Sequence, residues 1–382
     1  MGLSAEPLFA MTDADPHHPD ADGARYSTGI LPAHALKGLI QAKEIQAATD
    51  FIEAQIQPAS IDLRLGAVAY RIRASFLPGP KTVKEKLDEL AVHEIDLTKG
   101  AVLETGSVYI VPLLEHVALA YRVSGTANAK SSTGRLDVFT RLVTDCGKEF
   151  DRVEPGYHGP LYAEISPRTF PILVRTGSRL NQLRLRRGSP IFSDAALRRL
   201  QEEIGVVHGD VDIDNGIALS VDLSGSDGLV GYRAKRHAGL IDVDQIGAYD
   251  VADFWDPLLA GKAKAIVLDP QEFYILASRE AVSIPPEYAA EMVAYNPLVG
   301  EFRVHYAGFF DPGFGFSGAG GAGSRAVLEV RSHEVPFILE HGQIVGRLVF
   351  ERLIEAPPRL YGQTGSNYQG QGLQLSKHFR RL

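Results

Sequence analysis

The stretch LYAEISPRTFPILVRTGSRLNQL, residues 161–183, returns in altered form as AVLEVRSHEVPFILEHGQIVGRL at 326–348, with Glu164 over Glu329, Pro171 over Pro336, Gly177 over Gly342 and Leu183 over Leu348. Each pair is separated by 165 positions. The same offset relates Leu103 to Leu268, Tyr109 to Tyr274 and Val117 to Val282. Further upstream it falls to 161 at Leu36 and Leu197 and to 160 at Asp62 and Asp222, as small insertions require. A period this long describes a duplicated domain, because solenoid repeats recur every ~20–50 residues. The copies run from about 27 to 188 and from 189 to 355, with an arm at 1–26 before them and a tail at 356–382 after them.

Each copy opens on a helical pattern. LPAHALKGLIQ at 31–41 places apolar residues at 31, 35, 36, 39 and 40, the spacing of one helix face. Copy two carries a further helical candidate at Ala195–Ile204. The remainder reads as strands: SIDLRLG, AYRIRAS, SVYIVPLL, PLYAEIS and PILVRTG are short, rich in β-branched and aromatic residues, and punctuated by Gly or Pro. That is the pattern of an antiparallel sandwich or barrel. The expected class is mainly β, two tandem distorted β-barrel or jelly-roll domains with a few short helices. The Gly-rich run GFGFSGAGGAG at 313–323 reads as a flexible insertion, without the Lys-Ser/Thr of a phosphate loop. The arm, rich in Asp, His, Pro and Gly, has too little apolar area to offset the entropy of ordering, and is expected to be disordered, His17 and His18 included.

With 382 residues, 45% of them hydrophobic, the chain can bury a large core without staples. Its formal charge of −8 and a longest basic cluster of only Arg184–Arg187 leave no broad footprint for polymeric nucleic acid or an anionic membrane. No apolar run approaches the ~18 residues of a membrane span, and the N-terminus lacks a basic start followed by an apolar stretch. The expected location is cytoplasmic. One cysteine, Cys146, excludes an internal disulfide and every multi-cysteine zinc site, those of the Cys-rich zinc deaminases included.

Three constellations could carry chemistry. Lys130-Ser131-Ser132-Thr133-Gly134-Arg135 offers two cations, hydroxyls and a close-approach glycine, the groups that hold a chain of phosphates; an ordinary polar turn would read the same. Copy two has Tyr295-Asn296-Pro297-Leu298-Val299-Gly300-Glu301 at the matching place, without the hydroxyl pair or either cation, so the scaffold itself does not require them. Glu164 sits in the otherwise apolar strand that follows the Pro155-Gly156 hairpin. A buried carboxylate there suits a general acid or base, or alternatively a structural ion pair with Arg141, Arg168 or Arg175, as the recurrence of Glu329 allows. The tail segment Tyr361–Gly372 is glycine-spaced and rich in amides and phenols, open to reading as a lid or as a plain disordered tail.

At these residues the chain resembles the dCTP deaminase family, which shares its fold with the trimeric dUTPases. QPASIDLRLG at 57–66 resembles the family's N-terminal strand signature, Lys130–Arg135 its phosphate and catalytic loop, Pro155-Gly156 with Glu164 its hairpin and catalytic glutamate, and Tyr368-Gln369-Gly370-Gln371 its closing tail. The double length resembles a duplicated bacterial subgroup. There are departures: Asn367 stands where a Lys is common, and copy one has a lengthened Thr144–Arg152 where copy two has the closer His305-Tyr-Ala-Gly-Phe-Phe-Asp-Pro-Gly313. The resemblance implies a zinc-independent conversion of dCTP to dUTP and ammonia. Glu164 is then the leading proton shuttle, with Glu329 the alternative, because family sites form at subunit contacts where copy two could face the loop of copy one. Ser131 would hold the water or the base, Arg135 would orient the glutamate, Lys130 and Ser132 would bind phosphate, and Tyr368 and Gln371 would close over the nucleotide. Also implied are Mg²⁺ carried by the substrate triphosphate, dTTP as a candidate feedback inhibitor, and a homo-oligomer with threefold contacts. A dUTP diphosphatase, alone or combined with the deaminase, is the runner-up, with Asp151 and Asp311 as candidates to activate water; a non-catalytic nucleotide-binding module is the third reading.

Overall fold

The structure, a computed structural model, describes residues 26–380 except 209–210, 226–227, 295–301, 305–307, 333 and 364–365; for 294 and 302–304 it describes the backbone alone. The expected disordered arm (but for Tyr26), the copy-two segment Tyr295–Glu301 and His305–Ala307 therefore lie outside the described residues.

The protein is mainly β. In the first half, Gly29–Ile30, Asn181–Arg187, Val123–Ala129 and Arg152–Val153 form one sheet, with Ile61–Leu63 also on Asn181–Arg187. A second runs Ala91–Asp96, Val68–Ile72, Val108–Ala118, His158–Pro167, Val138–Thr144. The second half repeats the plan. Ile217–Ser220, Ile344–Arg352, Tyr288–Ala294 and Phe309–Phe310 make one sheet, and Trp255–Leu259, Leu229–Ala234, Phe273–Val282, Ser324–Ser332 and Phe302–Val304 the other. Glu164 pairs with Arg141 and Ile110 across its sheet; Glu329 pairs with Ile275 in the equivalent one.

The helices follow their end signals. Ala33–Gln41 starts after Pro32 and buries Leu36 and Leu39. Asp194–Ile204 is capped by Ser193, whose side chain accepts from the Ala196 amide, and ends on Gly205 in the left-handed region. A further helix, Val83–Leu90, begins at a capping box in which Thr82 and Glu85 satisfy each other's backbone N–H groups. Strand expectations had passed over it, although Thr82-x-x-Glu85 signals it.

The Gly-rich run corrects one expectation. It is packed rather than loose: Phe314 is buried with its ring against Phe310 and Tyr361. Gly315 has φ 66°, and a Cβ there would lie 2.0 Å from the Val282 carbonyl oxygen. The glycines permit close approach of two backbones, which the composition had suggested as flexibility.

The halves are joined through apolar and ionic contacts. Trp255 packs edge-on against Phe170 of copy one and Phe379 of the tail, with ring centroids 5.5 and 5.9 Å away. Arg184, far from forming a surface basic patch, is fully buried; it donates to the carboxylate of Asp311 at 3.0 Å and to the Ala290 carbonyl at 3.1 Å. Ile241–Asp242 of copy two lies parallel along Ile172–Val174 of copy one, where Arg175 forks onto Asp242 at 2.8 and 2.9 Å. Among the described residues no helix is long and apolar enough to cross a membrane.

Candidate active site

The loop after Val123–Ala129 enters at Lys130, makes one short helical turn over Ser131–Gly134 and leaves through Arg135. Asp137, in the left-handed region at φ 56°, then turns the chain into Val138–Thr144. An Arg331–Asp137 ion pair across the copies and a hydrogen bond from Thr169 to Asp137 at 2.5 Å hold that turn. The loop opens onto a cavity of about 1010 Å³, walled by both copies and the tail.

Five expected residues meet there with Ser131: Lys130, Ser132, Arg135, Tyr368 and Gln371 all line this cavity. Arg135 is almost wholly buried. It donates to Gln371 Oε1 at 2.9 Å and to the Gln374 carbonyl at 3.0 Å, while its guanidinium lies 4.0 Å from the Tyr368 ring centroid. Gln371 in turn donates to the Arg325 carbonyl at 2.9 Å, so the tail is docked along the Ser324–Ser332 strand. Lys130 pairs with the buried carboxylate of Asp62, which Arg179 also approaches at 3.3 Å.

The glutamate that faces this loop is Glu329, from copy two. Its carboxylate lines the cavity 3.8 Å from Arg135 Nε, too far for a hydrogen bond, and that Nε is buried without a partner. Burial raises Glu329 to about 8, opposed by the positive charge of Arg135. Glu164 is not brought to the cavity. It accepts from Arg141 Nη2 at 2.5 Å and from Nε at 3.2 Å, and Arg141 itself stacks on the Phe150 ring. The expected pairing of Arg135 with Glu164 is therefore replaced by Arg135 with Glu329, because the Ser324–Ser332 strand of copy two lines the same cavity as the loop of copy one.

Asp311 lines the cavity but is held by Arg184 and kept above the ordinary carboxylate range by burial. Asp151 lies elsewhere, accepting from the Leu142 amide at 2.7 Å, and burial raises it to about 7. Arg179, Tyr361 and Lys377, not among the expected site residues, also line the cavity; Tyr361 opens the segment readable as a lid or as a disordered tail, Lys377 lies beyond that segment, and Arg179 lies in a turn without a motif. Among the described residues no group of three or more His, Cys, Asp or Glu side chains is placed to hold a metal ion.

A buried carboxylate and a buried guanidinium facing a roomy cavity, beside a loop of cations and hydroxyls and under a docked tail, can bind a phosphorylated ligand and move a proton on it. Family models described as the N-terminal and C-terminal domains of 2'-deoxycytidine 5'-triphosphate deaminase match residues 27–189 and 193–379. The crystal structure of 2'-deoxycytidine 5'-triphosphate deaminase from Agrobacterium tumefaciens is 59% identical, with a TM-score of 0.83 over 86% of this chain and 100% of that one. Among curated proteins, the dUMP-forming dCTP deaminase of Nanoarchaeum equitans is 30% identical over 43% of this chain and 87% of its own. That of Beutenbergia cavernae is 34% identical over 37% of this chain and 74% of its own. The chain belongs to the dCTP deaminase family and has its dUTPase-like β fold, in duplicate.

Proposed function

We propose that the protein deaminates dCTP to dUTP and ammonia without zinc, at one site per chain, with Glu329 as the proton shuttle. The observation that carries this is the buried Glu329 facing Arg135 across 3.8 Å in a cavity with phosphate-binding groups at its rim. Water must attack the amine-bearing ring carbon while the neighbouring ring nitrogen gains a proton. In this reading Glu329 takes the proton from water as the carbon–oxygen bond forms and delivers it to the ring nitrogen. It then passes a proton from the new hydroxyl to the amine as the carbon–nitrogen bond breaks. A carboxyl lifted to about 8 exchanges protons readily near neutral pH.

Arg135 holds Glu329 oriented, Ser131 positions the water, and Lys130 and Ser132 take phosphate oxygens. Tyr368 and Gln371 cover the nucleotide and exclude bulk water. The triphosphate brings Mg²⁺ with it, which neutralises part of its charge. A homo-oligomer fits the exposed edge of copy two. Phe337–Glu340 pairs only with Ala265–Leu268 among the described residues, whereas its copy-one counterpart Ile172–Val174 is covered on both edges. Val267 and Ile338 there are 53% and 63% exposed. Threefold packing and dTTP feedback follow the family.

The second reading, further hydrolysis to dUMP and pyrophosphate, is favoured by the dUMP-forming relatives. One experiment separates them: purified protein with dCTP and Mg²⁺, a zinc-selective chelator present, nucleotides resolved and ammonia assayed. Stoichiometric dUTP and ammonia are expected. dUMP with pyrophosphate instead means the bifunctional enzyme, and unchanged dCTP overturns the deaminase.

A further inference from the structure

Two charged contacts join residues 130–137 of copy one to the Ser324–Ser332 strand of copy two. Arg135 faces Glu329, and two residues further along both segments Asp137 is ion-paired with Arg331. Glu329 and Arg331 are separated by one residue on a strand, so their side chains lie on one face. Thr169 completes a triangle: it donates to Asp137 Oδ2 at 2.5 Å and accepts from Arg331 Nη2 at 3.0 Å. Arg331 also donates to the Gln271 carbonyl, which ties the guanidinium within its own copy. With side chains 2% and 13% exposed, Asp137 and Arg331 are little screened by solvent.

Neither residue is required by the scaffold. Copy one has Ser166 where copy two has Arg331, 165 positions away. Asp137 holds a left-handed backbone at φ 56°, a conformation for which glycine is the unstrained residue. A carboxylate there serves something other than the turn. It sits beside the one separation on which proton transfer depends. Left to themselves, a guanidinium and a carboxylate close to about 2.7–2.9 Å, and in copy one Arg141 closes on Glu164 to 2.5 Å. Arg135 is drawn the other way by Gln371, the Gln374 carbonyl and the Tyr368 ring. At 3.8 Å from it, Glu329 keeps its oxygens for water and substrate.

We infer that Asp137 and Arg331 are positioning residues for the deamination, an assignment that rests on the reading of Glu329 as the proton shuttle. Their ion pair fixes the loop of one copy against the strand of the other, so that Arg135 orients Glu329 by its charge without bonding to it. Neither Asp137 nor Arg331 lines the cavity, so the pair acts through Arg135 and Glu329 and not on the nucleotide. Its loss therefore falls on turnover and spares binding.

Steady-state ammonia release from dCTP and Mg²⁺ is measured on the full chain and its variants. Asp137→Gly keeps the left-handed turn and removes only the carboxylate. It should lower kcat by about 10- to 100-fold with KM for dCTP changed by less than about threefold. Arg331→Met should do the same, the double variant should lose no more than either single one, and Arg331→Lys should recover most of the rate. If Arg331→Met does not fold, Asp137→Gly and Arg331→Lys decide alone. A kcat for Asp137→Gly within about threefold of wild type, losses that multiply in the double variant, or a rise in KM in place of the fall in kcat would each overturn the positioning pair, while wild-type turnover keeps the deaminase reading. A wild type that releases no ammonia overturns that reading and the pair with it.

Discussion

Glu164 in the first copy and Glu329 in the second stand 165 positions apart on equivalent strands, yet one accepts two hydrogen bonds from Arg141 while the other faces Arg135 across 3.8 Å without one. The two carboxyls are equally buried, at 1% and 4% exposure. What separates them is the partner that the rest of the chain delivers. Arg141 comes from the neighbouring strand of the same sheet and pairs with Glu164 through Oε1. Arg135 comes from the other copy, spends its donors on the tail, and leaves Glu329 desolvated beside open volume. The chain carries two such glutamates, and the copy-two segment Tyr295–Glu301 that matches the Lys130–Arg135 loop in sequence has neither its hydroxyl pair nor its cations.

The strongest way to break this contrast is to neutralise each carboxyl in turn. Glu329→Gln should cut ammonia release by about 10²- to 10⁴-fold with dCTP binding retained, and Glu164→Gln should leave turnover within about threefold. The reverse order would return the shuttle to Glu164. Next in size is stability: Arg141→Leu strands a buried carboxylate and should cost about 2–4 kcal/mol in chemical unfolding, with kcat unchanged. A fall in kcat at intact structure would tie Arg141 to the chemistry. Tyr368→Leu removes the ring under Arg135 and should raise KM for dCTP by about 3- to 30-fold; no change would place the tail outside the bound state.

The smallest expected effect sharpens the electrostatics. Glu329 has a folded value of about 8 against an unfolded one near the ordinary 4.5. The folded state therefore holds a proton that the unfolded state has released, and the stability linked to it is complete below about 4.5 and lost as pH rises through about 8. Glu329→Gln lacks that loss. Its Tm relative to wild type should therefore climb by a few degrees between about pH 5 and 8. A flat difference would mean that the carboxyl is not desolvated.

Much of this was legible before any coordinates. The repeat, the mainly β class and the cation–hydroxyl loop could be read because period-two apolar patterning, turn residues and a fixed offset are local or self-comparing signals. So could the helix at Asp194–Ile204, within one residue. The helix at Val83–Leu90 is low in apolar residues, yet its capping box and the spacing of Val83, Leu87 and Leu90 both mark it. The glycine run misled because glycine serves flexibility and close packing alike, and composition does not say which.

The choice between Glu164 and Glu329 was of another kind. Both lie in matching sequence, and nothing within either strand distinguishes a paired carboxylate from a desolvated one. Chain order alone showed a repeat at a fixed offset, one cation–hydroxyl loop without a counterpart in copy two, and a polar tail after them. Which glutamate meets the surviving loop, and that Lys377 stands beside Lys130, depended on how the copies and the tail pack against each other. Desolvation and charge pairing act over a few ångströms in space, and those neighbours lie up to some 250 residues apart along the chain.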